Sequence, residues 1–567
     1  MLEVLFSWVI ISVASTLFGS MLIWVFYRNE NALHTLDVYI IAGLLGINIY
    51  AEIFSLFYKV GAKACFILFV IGFICGGIII YKLWKREGKR FRNIRNCFRG
   101  GYWQYLISFF CIVAVAIWTV AAPQHYDTPL YHIQAVRWIE EYGIVPGLGN
   151  LHNRFAYNSA FMPLQALFSL RWLIDNSLHT LNGFICCIFL VYAICSNSLL
   201  KREELQTSDF LKFAVIIYIC SNREYISSLS SDILAMLLVL YIFVKWCEFF
   251  EKGIEGALPY SFLCLIAVWA ITVKLSTVVC ILLVLYPAVL LIKRREYKQI
   301  MLHLAAGLVI CVPWLMRNVL ISGYLIYPYA GIDFFSFDWK MLPSVLDYDR
   351  MEICVWGRGT KDVALYHQPI SQWITIWYQS QNKYGQWLVV TGAISCLVLI
   401  GICILKLCRK HIKEVWLYVV ALAGCVMWLF SAPLLRYGIV YLLLPACFVL
   451  GQYYKRNKFF VLTISLLVTI PLVCALYAEI VNIKVTSIIA QERYPYYETY
   501  TEKLDEADIY LPTNSNCWVG DDVFPSTPYP HVLDRIELRG ESLKSGFRIK
   551  ESCRGMRLRQ DGYEWLD

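Results

Sequence analysis

The sequence predicts an all-α polytopic membrane protein with about 12–14 transmembrane helices, outer-face surface helices and a small C-terminal α+β appendage. Only 16% of the 567 residues are charged and the mean hydropathy is +0.57, whereas an ordinary soluble domain is about 25% charged. The apolar residues form runs of roughly 20, the length of a helix that crosses a bilayer. Lysines and arginines gather between these runs, as the positive-inside rule expects.

Fourteen apolar segments are candidate spans, and they divide the chain into three regions. Residues 1–100 hold three spans and a basic loop, residues 101–481 the transmembrane core, and residues 482–567 a tail domain outside the membrane. Losing two short spans within 210–292 would keep the same sidedness, so twelve is an alternative count. The candidates are 2–27, 36–58, 64–81, 103–122, 181–200, 210–221, 231–250, 258–273, 275–292, 300–321, 386–405, 414–431, 437–454 and 458–481.

The basic loops predict which segments face outward. The stretch KLWKREGKRFRNIRNCFR and the loops near Lys201, Lys293, Cys408 and Lys455 all fall on one side of this count, which is therefore cytoplasmic. Loops 123–180 and 322–385 and the tail should lie outside. The tail stretch RIELRGESLKSGFRI is strand-like. The net charge of +9 lies largely in these loops, and no basic stripe with interleaved aromatics indicates nucleic-acid binding.

The 21 cysteines give little sign of a metal or disulfide framework. Most lie inside apolar spans, where a free cysteine behaves as a small hydrophobic residue. No Cys-x-x-Cys pair or His-rich tract indicates a structural zinc site. A Cys517–Cys553 disulfide in the tail is one alternative, because sequence alone does not set pairing. The N-terminal apolar run lacks a basic start and is too long for a signal peptide, so it is interpreted as the first span.

Polar side chains concentrate directly after the fourth span, in HYDTPLYHIQAVRWIEEYGIVPG at residues 125–147. Pro129 predicts a helix start and Gly143 its stop, so a helix over 129–142 should lie along the membrane surface. Asp127 stands just before the positive end of this helix, which favours the carboxylate form. It could cap the helix or accept a proton as a general base.

Neighbouring side chains favour the catalytic interpretation of Asp127. A lone histidine is usually structural, but two histidines beside an acid at a membrane boundary indicate a functional site. The candidate substrate-binding residues of this loop are His125, Tyr126, His132, Arg137, Arg154 and Asn158.

Two further candidates stand where later spans begin or end. Asp232 opens a span after SSLSS, either as a helix cap or as a substrate ligand. Lys274 lies in the apolar run AVWAITVKLSTVV, where a charge at mid-helix would cost about 2.5–3.5 kcal/mol. It could extend to the membrane boundary or bind a phosphate.

Two Arg-containing pairs complete the set of candidates, Arg317 with Asn318 and Arg436 with Tyr437. The guanidinium fork suits a phosphate held by two parallel hydrogen bonds. The alternative is an anchor in the lipid head-group layer. We expect Asp127, Lys274, Arg317 and Arg436 to line one outward cavity.

Three segments of the chain resemble the GT-C superfamily of polytopic glycosyltransferases. They are YDTPLYH with YGIVPG, PWLMRN with SGYLIYP, and APLLRYGIVYLLLP, in which an Arg-Tyr pair precedes a proline. Tyr324 and Leu325 replace the Asn-Pro of the superfamily's second pattern. This likeness covers about residues 100–455. More narrowly, nearly the whole chain is similar to a bacterial family of largely uncharacterised membrane proteins linked to surface polysaccharides.

The resemblance implies an inverting transfer of a sugar from a polyprenyl-phosphate donor to a glycan or lipid acceptor. The reaction would take place in a bacterial inner membrane, at its outer face and among membrane lipids. Asp127 would take the proton of the acceptor hydroxyl, and arginine and lysine would stabilise the departing phosphate. Many superfamily members carry paired acids in this loop. Thr128 follows Asp127 here, which leaves open whether a divalent cation such as Mg or Mn takes part.

Two other functions fit a polytopic chain. A polysaccharide polymerase that joins lipid-linked oligosaccharides should have a large outer loop rich in arginine, and loop 322–385 has few basic residues. A transporter without catalysis should have charges near mid-membrane and often two internal repeats. No repeat is seen, and the candidate polar residues gather at one face.

Overall fold

The computed structural model describes residues 1–86, 102–174, 176–198, 204–410, 412–453, 489–554, 557–558 and 565–566. Within these ranges, ten helices are long and apolar enough to cross a membrane. Three shorter apolar helices accompany them: Phe161–Ile174, Leu181–Cys195 and Ala257–Val273. The chain is therefore mostly helical and multi-pass, as predicted. The predicted last span, 458–481, lies outside the described residues.

The helices are numbered here in chain order. They are α1 Leu2–Tyr27, α2 Leu36–Phe57, α3 Ala62–Ile71 with its continuation Gly77–Arg86, α4 Tyr102–Val120, α5 Ile133–Glu141, α6 Leu148–Leu151, α7 Phe161–Phe168, α8 Arg171–Ile174, α9 Leu181–Cys195, α10 Thr207–Ser221, α11 Asp232–Glu251, α12 Ala257–Val273, α13 Leu285–Lys293, α14 Tyr297–Ser322, α15 Pro343–Gly357, α16 Ile370–Ser380, α17 Lys383–Cys408, α18 Ile412–Ser431 and α19 Leu435–Tyr453. A π-helical turn, Thr128–His132, leads into α5, and a 3-10 helix, Leu275–Val284, leads into α13.

The tail forms short antiparallel hairpins, which confirms the small C-terminal sheet. The strands are β1 Thr499–Leu504, β2 Ala507–Pro512, β3 Ile536–Leu538, β4 Phe547–Ile549, β5 Arg557–Leu558 and β6 Trp565–Leu566, paired β1–β2, β3–β4 and β5–β6. The strand-like stretch of the sequence is the β3–β4 hairpin, with Ile536 opposite Ile549. Cys517 and Cys553 are both free, so the alternative of a disulfide between them is wrong.

The predicted surface helix is present and packs against the protein. Its π-helical first turn begins at Thr128, α5 ends at Glu141, and Gly143 follows with a φ of +80°. A Cβ at Gly143 would lie 2.6 Å from the carbonyl oxygens of Ser55 and Tyr58, so only glycine fits this close approach. The apolar side chains of this segment are buried in the core, namely Leu130, Ile133, Val136 and Ile139.

Hydrogen bonds between distant helix ends define one face of the bundle, called here the loop face. Trp8 Nε1 donates to the Thr180 carbonyl at 3.0 Å, which joins the starts of α1 and α9. Val60 N donates to the Ile139 carbonyl at 3.0 Å, which joins the end of α2 to α5. The other ends of the helices form the basic face, whose exposed side chains include Lys82, Lys293, Arg294, Arg295, Arg409 and Lys413.

Candidate functional site

Asp127 forms an ion pair with Arg436 on the loop face. Arg436 lies at the start of α19, and its Nη2 donates to Asp127 Oδ2 at 3.0 Å. Nη1 of the same guanidinium lies 3.2 Å from Nε2 of His125. The Asp127 carboxylate makes no capping hydrogen bond to the helix that follows it. The capping interpretation is therefore wrong for Asp127, whose carboxylate pairs with Arg436 instead.

Asp232 and Lys274 form a second ion pair beside the first. Lys274 stands in extended backbone between α12 and the 3-10 helix, so it interrupts the helix rather than occupying its middle. Its ammonium contacts Asp232 at the start of α11 and lies 3.6 Å from the centre of the Tyr437 ring. Arg436 Nε lies 3.9 Å from Asp232 Oδ2, which links the two pairs into one charge cluster.

This charge cluster is balanced and partly accessible. It contains two carboxylates, Asp127 and Asp232, and two cations, Lys274 and Arg436. Their side chains are 17%, 12%, 21% and 29% exposed, in that order. Each of the four comes from a different segment of the chain, so only the tertiary fold assembles them. A charged cluster that reaches solvent can exchange one of its partners for an ionic ligand.

The pKa of Asp127 is set by two opposing effects. Burial alone would raise the pKa of this carboxyl, but the charge of Arg436 outweighs burial and holds the pKa well below its usual range. Burial, together with the neighbouring His125, lowers the pKa of His132 to about 3, and burial also lowers the pKa of His125. At neutral pH the site therefore presents an ionised carboxylate beside two neutral imidazoles.

A cavity of about 60 Å³ lies next to the charge cluster. His132 connects the cavity with the cluster. Its side chain lines the cavity, and its ring lies 5.6 Å from the ring of His125, which is in contact with Arg436. The polar part of the lining is Tyr131, His132, Arg154, Tyr157, Asn158, Ser159, Ser231 and Arg317. Asp127, Lys274 and Arg436 are not among the lining residues, so the four side chains expected to line one cavity are divided between the cavity and the cluster.

Arg317 belongs to the cavity wall. It is 2% exposed, and it donates from Nε to Asn158 Oδ1 at 3.0 Å and from Nη1 to Ser55 Oγ at 2.5 Å. Asn158 in turn donates to Asn318 Oδ1 at 2.8 Å. Within the described residues, no carboxylate lies within 4.0 Å of Arg317, and the acid that acts on its charge from a longer distance is the buried Glu52 of α2.

Arg154 also lines the cavity, but its single positive charge is outweighed by two acids that the sequence analysis did not identify. Its guanidinium lies 3.2 Å from Asp349 Oδ1 and 2.5 Å from Glu352 Oε2. Both acids stand on α15, and Tyr157 donates a hydrogen bond to Asp349. The signal in the sequence was weak, because Asp349 and Glu352 are ordinary acids in a polar outer loop until the fold buries them.

Two predicted site residues lie away from the charge cluster. Arg137 contacts Glu141 at 3.1 Å and Asp521 of the tail at 3.5 Å. Tyr126 is 49% exposed and packs edge-to-face on Trp518 of the tail, with ring centres 5.4 Å apart. Both side chains therefore take part in the contact between the tail and the loop face.

The charge cluster does not fit a divalent cation well. A magnesium or manganese site needs several oxygen ligands that no cation already occupies. Asp127 and Asp232 face Arg436 and Lys274 instead, and no group of three metal-ligating side chains occurs in the described part of the chain. No step is therefore assigned to a metal here.

A comparison with models of known protein families assigns the chain to one of them. A family model described as a domain of unknown function (DUF8201) matches residues 1–443. Among curated proteins and among solved structures, no significant match to the chain is found. Since the family model spans well over half of the sequence, the chain belongs to the DUF8201 family.

Proposed function

We propose that this protein is a membrane glycosyltransferase of the GT-C type. It would move a sugar from a polyprenyl-phosphate donor to a glycan or lipid acceptor. The observation that carries the proposal is the charge cluster, in which two carboxylates and two cations from four segments meet at one face, beside a polar cavity. An acid for the acceptor proton and cations for an anionic leaving group are the two requirements of such a transfer.

The donor phosphate would compete with Asp127 for Arg436. Phosphate accepts the same paired hydrogen bonds from a guanidinium as a carboxylate does. Arg436 Nε makes no hydrogen bond to any described residue, so the guanidinium has a donor to spare. Lys274, whose ammonium lies 3.6 Å from the centre of the Tyr437 ring, would supply a second positive charge. Donor binding would thus release Asp127 from its resting ion pair.

The transfer inverts the anomeric centre. The acceptor oxygen forms a bond to the anomeric carbon while the bond between that carbon and the phosphate oxygen breaks. The phosphate leaves with the electron pair, held by Arg436 and Lys274, and the hydroxyl proton passes to the Asp127 carboxylate. Asp127 has a low pKa in the resting protein, so it accepts the proton late, when bond formation has made the hydroxyl strongly acidic.

The distribution of positive charge supports an extracytoplasmic site. The exposed lysines and arginines of the basic face lie at the opposite helix ends from the charge cluster, and positive charge favours the cytoplasmic side. The proposal therefore assigns the charge cluster, the cavity and the tail to the outer face of a bacterial cell membrane. It also assigns the chain a GT-C-like core and about 12–14 spans, including segments outside the described residues.

The test is a donor screen on the purified protein. Radiolabelled monosaccharides on polyprenyl phosphate are offered with lipid and glycan acceptors to the wild type and to Asp127→Asn. The variant should lose about 10²–10⁴-fold in transfer rate, the typical contribution of a positioned general base. Asp347→Asn is the matched control, because Asp347 is 51% exposed and its ion pair in the described part of the chain is with Arg350, at 3.4 Å.

Two outcomes would contradict the proposal. The assignment of the base fails if Asp127→Asn transfers sugar at the wild-type rate. The assignment of the reaction fails if the wild type transfers no sugar from any polyprenyl-phosphate donor in the screen.

A further inference from the structure

One face of α14 carries a row of exposed apolar side chains. They follow each other at intervals of three or four residues, so they lie on the same side of the helix. α14 is among the helices long and apolar enough to cross a membrane, and an apolar row of this length on such a helix fits contact with lipid. This row is called here the lipid stripe, and its members are Met301, Leu304, Leu308, Val312 and Met316.

The lipid stripe reaches the outer boundary of the hydrocarbon layer near Val319. The exposed Lys298 stands just before Met301, so the hydrocarbon layer begins near Met301. Val319 stands 18 residues after Met301, which at a rise of about 1.5 Å per residue is about 27 Å. The hydrocarbon core of a bilayer is roughly 30 Å thick. Val319 therefore lies at the level of the interface, where tryptophan and tyrosine are enriched in membrane proteins.

A loop that folds back onto this end of α14 stacks three aromatic rings. Trp339 Nε1 donates to the Val319 carbonyl at 3.1 Å. The Phe337 ring lies 4.3 Å from that of Trp339 with an angle of 6° between the planes, and the Phe335 ring lies 5.5 Å from that of Phe337 at 19°. These three rings are called here the aromatic ladder. Val319 follows Met316 by three residues, so the ladder continues the lipid stripe beyond the helix.

The loop is held in place while its apolar side chains stay exposed. Lys340 pairs with Asp333 and donates to the Phe335 carbonyl at 2.8 Å, which closes the loop around the aromatic ladder. Phe334 is nevertheless 72% exposed and Phe337 is 37% exposed. Large apolar side chains that are fixed in an exposed position indicate a surface that another phase or molecule covers.

The charges beside the aromatic ladder are paired with each other. Arg539, directly after β3 in the tail, donates from Nε to Asp338 Oδ2 at 2.8 Å, and its guanidinium lies 4.7 Å from the centre of the Trp339 ring. Paired charges can lie in the head-group layer without leaving a net charge at the edge of the hydrocarbon. The same contacts join the tail to the aromatic ladder.

We propose that Phe334 and the aromatic ladder insert into the outer interface of the bilayer and anchor the tail there. Continuity with the lipid stripe favours lipid over a protein partner as the covering material. The anchor also fixes the level of the membrane surface relative to the cavity, because Arg317 in the cavity wall stands two residues before Val319 on α14. This inference does not depend on the proposed function.

The test places a fluorine label at Phe334 of the full-length protein in phosphatidylcholine nanodiscs. The change is Phe334→para-trifluoromethyl-phenylalanine, which adds little bulk to a side chain that is already exposed. Fluorine NMR spectra are recorded with a lipid that carries a nitroxide near its head group, and separately with a water-soluble gadolinium chelate. The signal should lose most of its intensity with the lipid nitroxide and little with the chelate. A label at Phe337 should give the same result.

Two control positions carry the same label. Leu308, on the lipid stripe, should be protected from the chelate. Tyr500 in β1 is 41% exposed beside the exposed charges of Glu502 and Lys503, so it should respond to the chelate and not to the lipid nitroxide. Gel filtration establishes that each labelled protein is folded. The proposal is overturned if Phe334 responds as Tyr500 does, which is the result expected of a surface open to water or reserved for a protein partner.

Discussion

Two clusters of paired positive and negative side chains lie at the two ends of the helical bundle, and on average the members of one are more exposed to solvent than those of the other. In the charge cluster of the loop face, the exposed fraction of each side chain is between 12% and 29%. The second cluster, called here the buried network, lies toward the basic face. Its members Lys212, Lys245, Asp209 and Glu248 are 0–7% exposed as side chains, and Asp37 is 13% exposed.

The buried network ties three helices together. Lys212 on α10 lies 3.0 Å from Glu248 on α11. The ammonium of Lys245, also on α11, lies 2.7 Å from Asp37 Oδ2 on α2 and 4.5 Å from the centre of the Tyr192 ring. None of these side chains lines the cavity beside the charge cluster.

The comparison indicates that charge stabilises the fold in the buried network and serves function in the charge cluster. A buried ion pair is held in place, because removing either partner leaves an uncompensated charge in a medium of low dielectric constant. A partly exposed pair loses less when a partner leaves, because water screens the charge that remains. The buried network therefore fits a role in stability, and the charge cluster fits a site that exchanges partners with a substrate.

The largest effect is expected from breaking the buried network. Glu248→Gln removes the acid that lies between Lys212 and Lys245, so it should lower the free energy of unfolding by about 3–5 kcal/mol. The measurement is denaturant unfolding of the purified protein in detergent. Glu224→Gln serves as the control, because the Glu224 side chain is 62% exposed. Equal stability of the two variants would remove the distinction between the clusters.

A change in the charge cluster should affect activity more than stability. Lys274→Met removes a cation that the proposed mechanism aims at the leaving phosphate, so transfer should slow by about 10²–10³-fold. Asp232 keeps a second cation, Arg436, within 3.9 Å, so less charge is left uncompensated than in Glu248→Gln, and the free energy of unfolding should fall by less than about 3 kcal/mol. Lys503→Met, at a tail lysine that is 66% exposed, is the control for both measurements. A stability loss as large as that of Glu248→Gln would contradict the comparison.

The sequence predicts the members of the charge cluster because each one is locally unusual. Asp127, Asp232, Lys274 and Arg436 are charged residues near the ends of apolar runs, and the spacing of basic loops assigns all four to one side. Their pairing was not predictable, since Asp127 and Arg436 are more than 300 residues apart. Arg317 has the same local signal, yet its contact with Ser55 on α2 holds it in the wall of the cavity beside the charge cluster.

The buried network shows a signal that the sequence analysis did not use. Lys212 stands in TSDFLKFAVIIY, and Lys245 and Glu248 stand in LYIFVKWCEFFE. Charged residues inside apolar helices generally have partners in the protein interior. The acids around Arg154 gave no comparable signal, because Asp349 and Glu352 belong to a helix of mixed composition and are buried only by tertiary contact.

A smaller effect should appear in the pH dependence of stability. The folded pKa of His132 is about 3, against 6.5 for an ordinary histidine. Between these two values the unfolded chain binds a proton that the folded protein does not, so His132 makes the fold less stable as the pH falls. From about pH 7 to about pH 5 this loss should reach about 2 kcal/mol.

The His132→Gln variant isolates this contribution, because the other titrating groups cancel when variant and wild type are compared at each pH. Its unfolding free energy should decline less than that of the wild type over the same interval. Parallel declines would mean that His132 titrates normally and is open to solvent, which would bring it into the accessible charge cluster.

The smallest effect on stability and activity is expected at Arg137. It carries the same charge as Arg436 but lies in the contact between the tail and the loop face. Its contacts with Glu141 and Asp521 are partly exposed ion pairs, and such pairs contribute up to about 1 kcal/mol. Asp521 also pairs with Arg171 at 2.6 Å, so it keeps a cation in Arg137→Met. This variant should therefore unfold within about 1 kcal/mol of the wild type and should keep its transfer rate. A large loss of transfer in a stable Arg137→Met protein would extend the functional region from the charge cluster into the contact between the tail and the loop face.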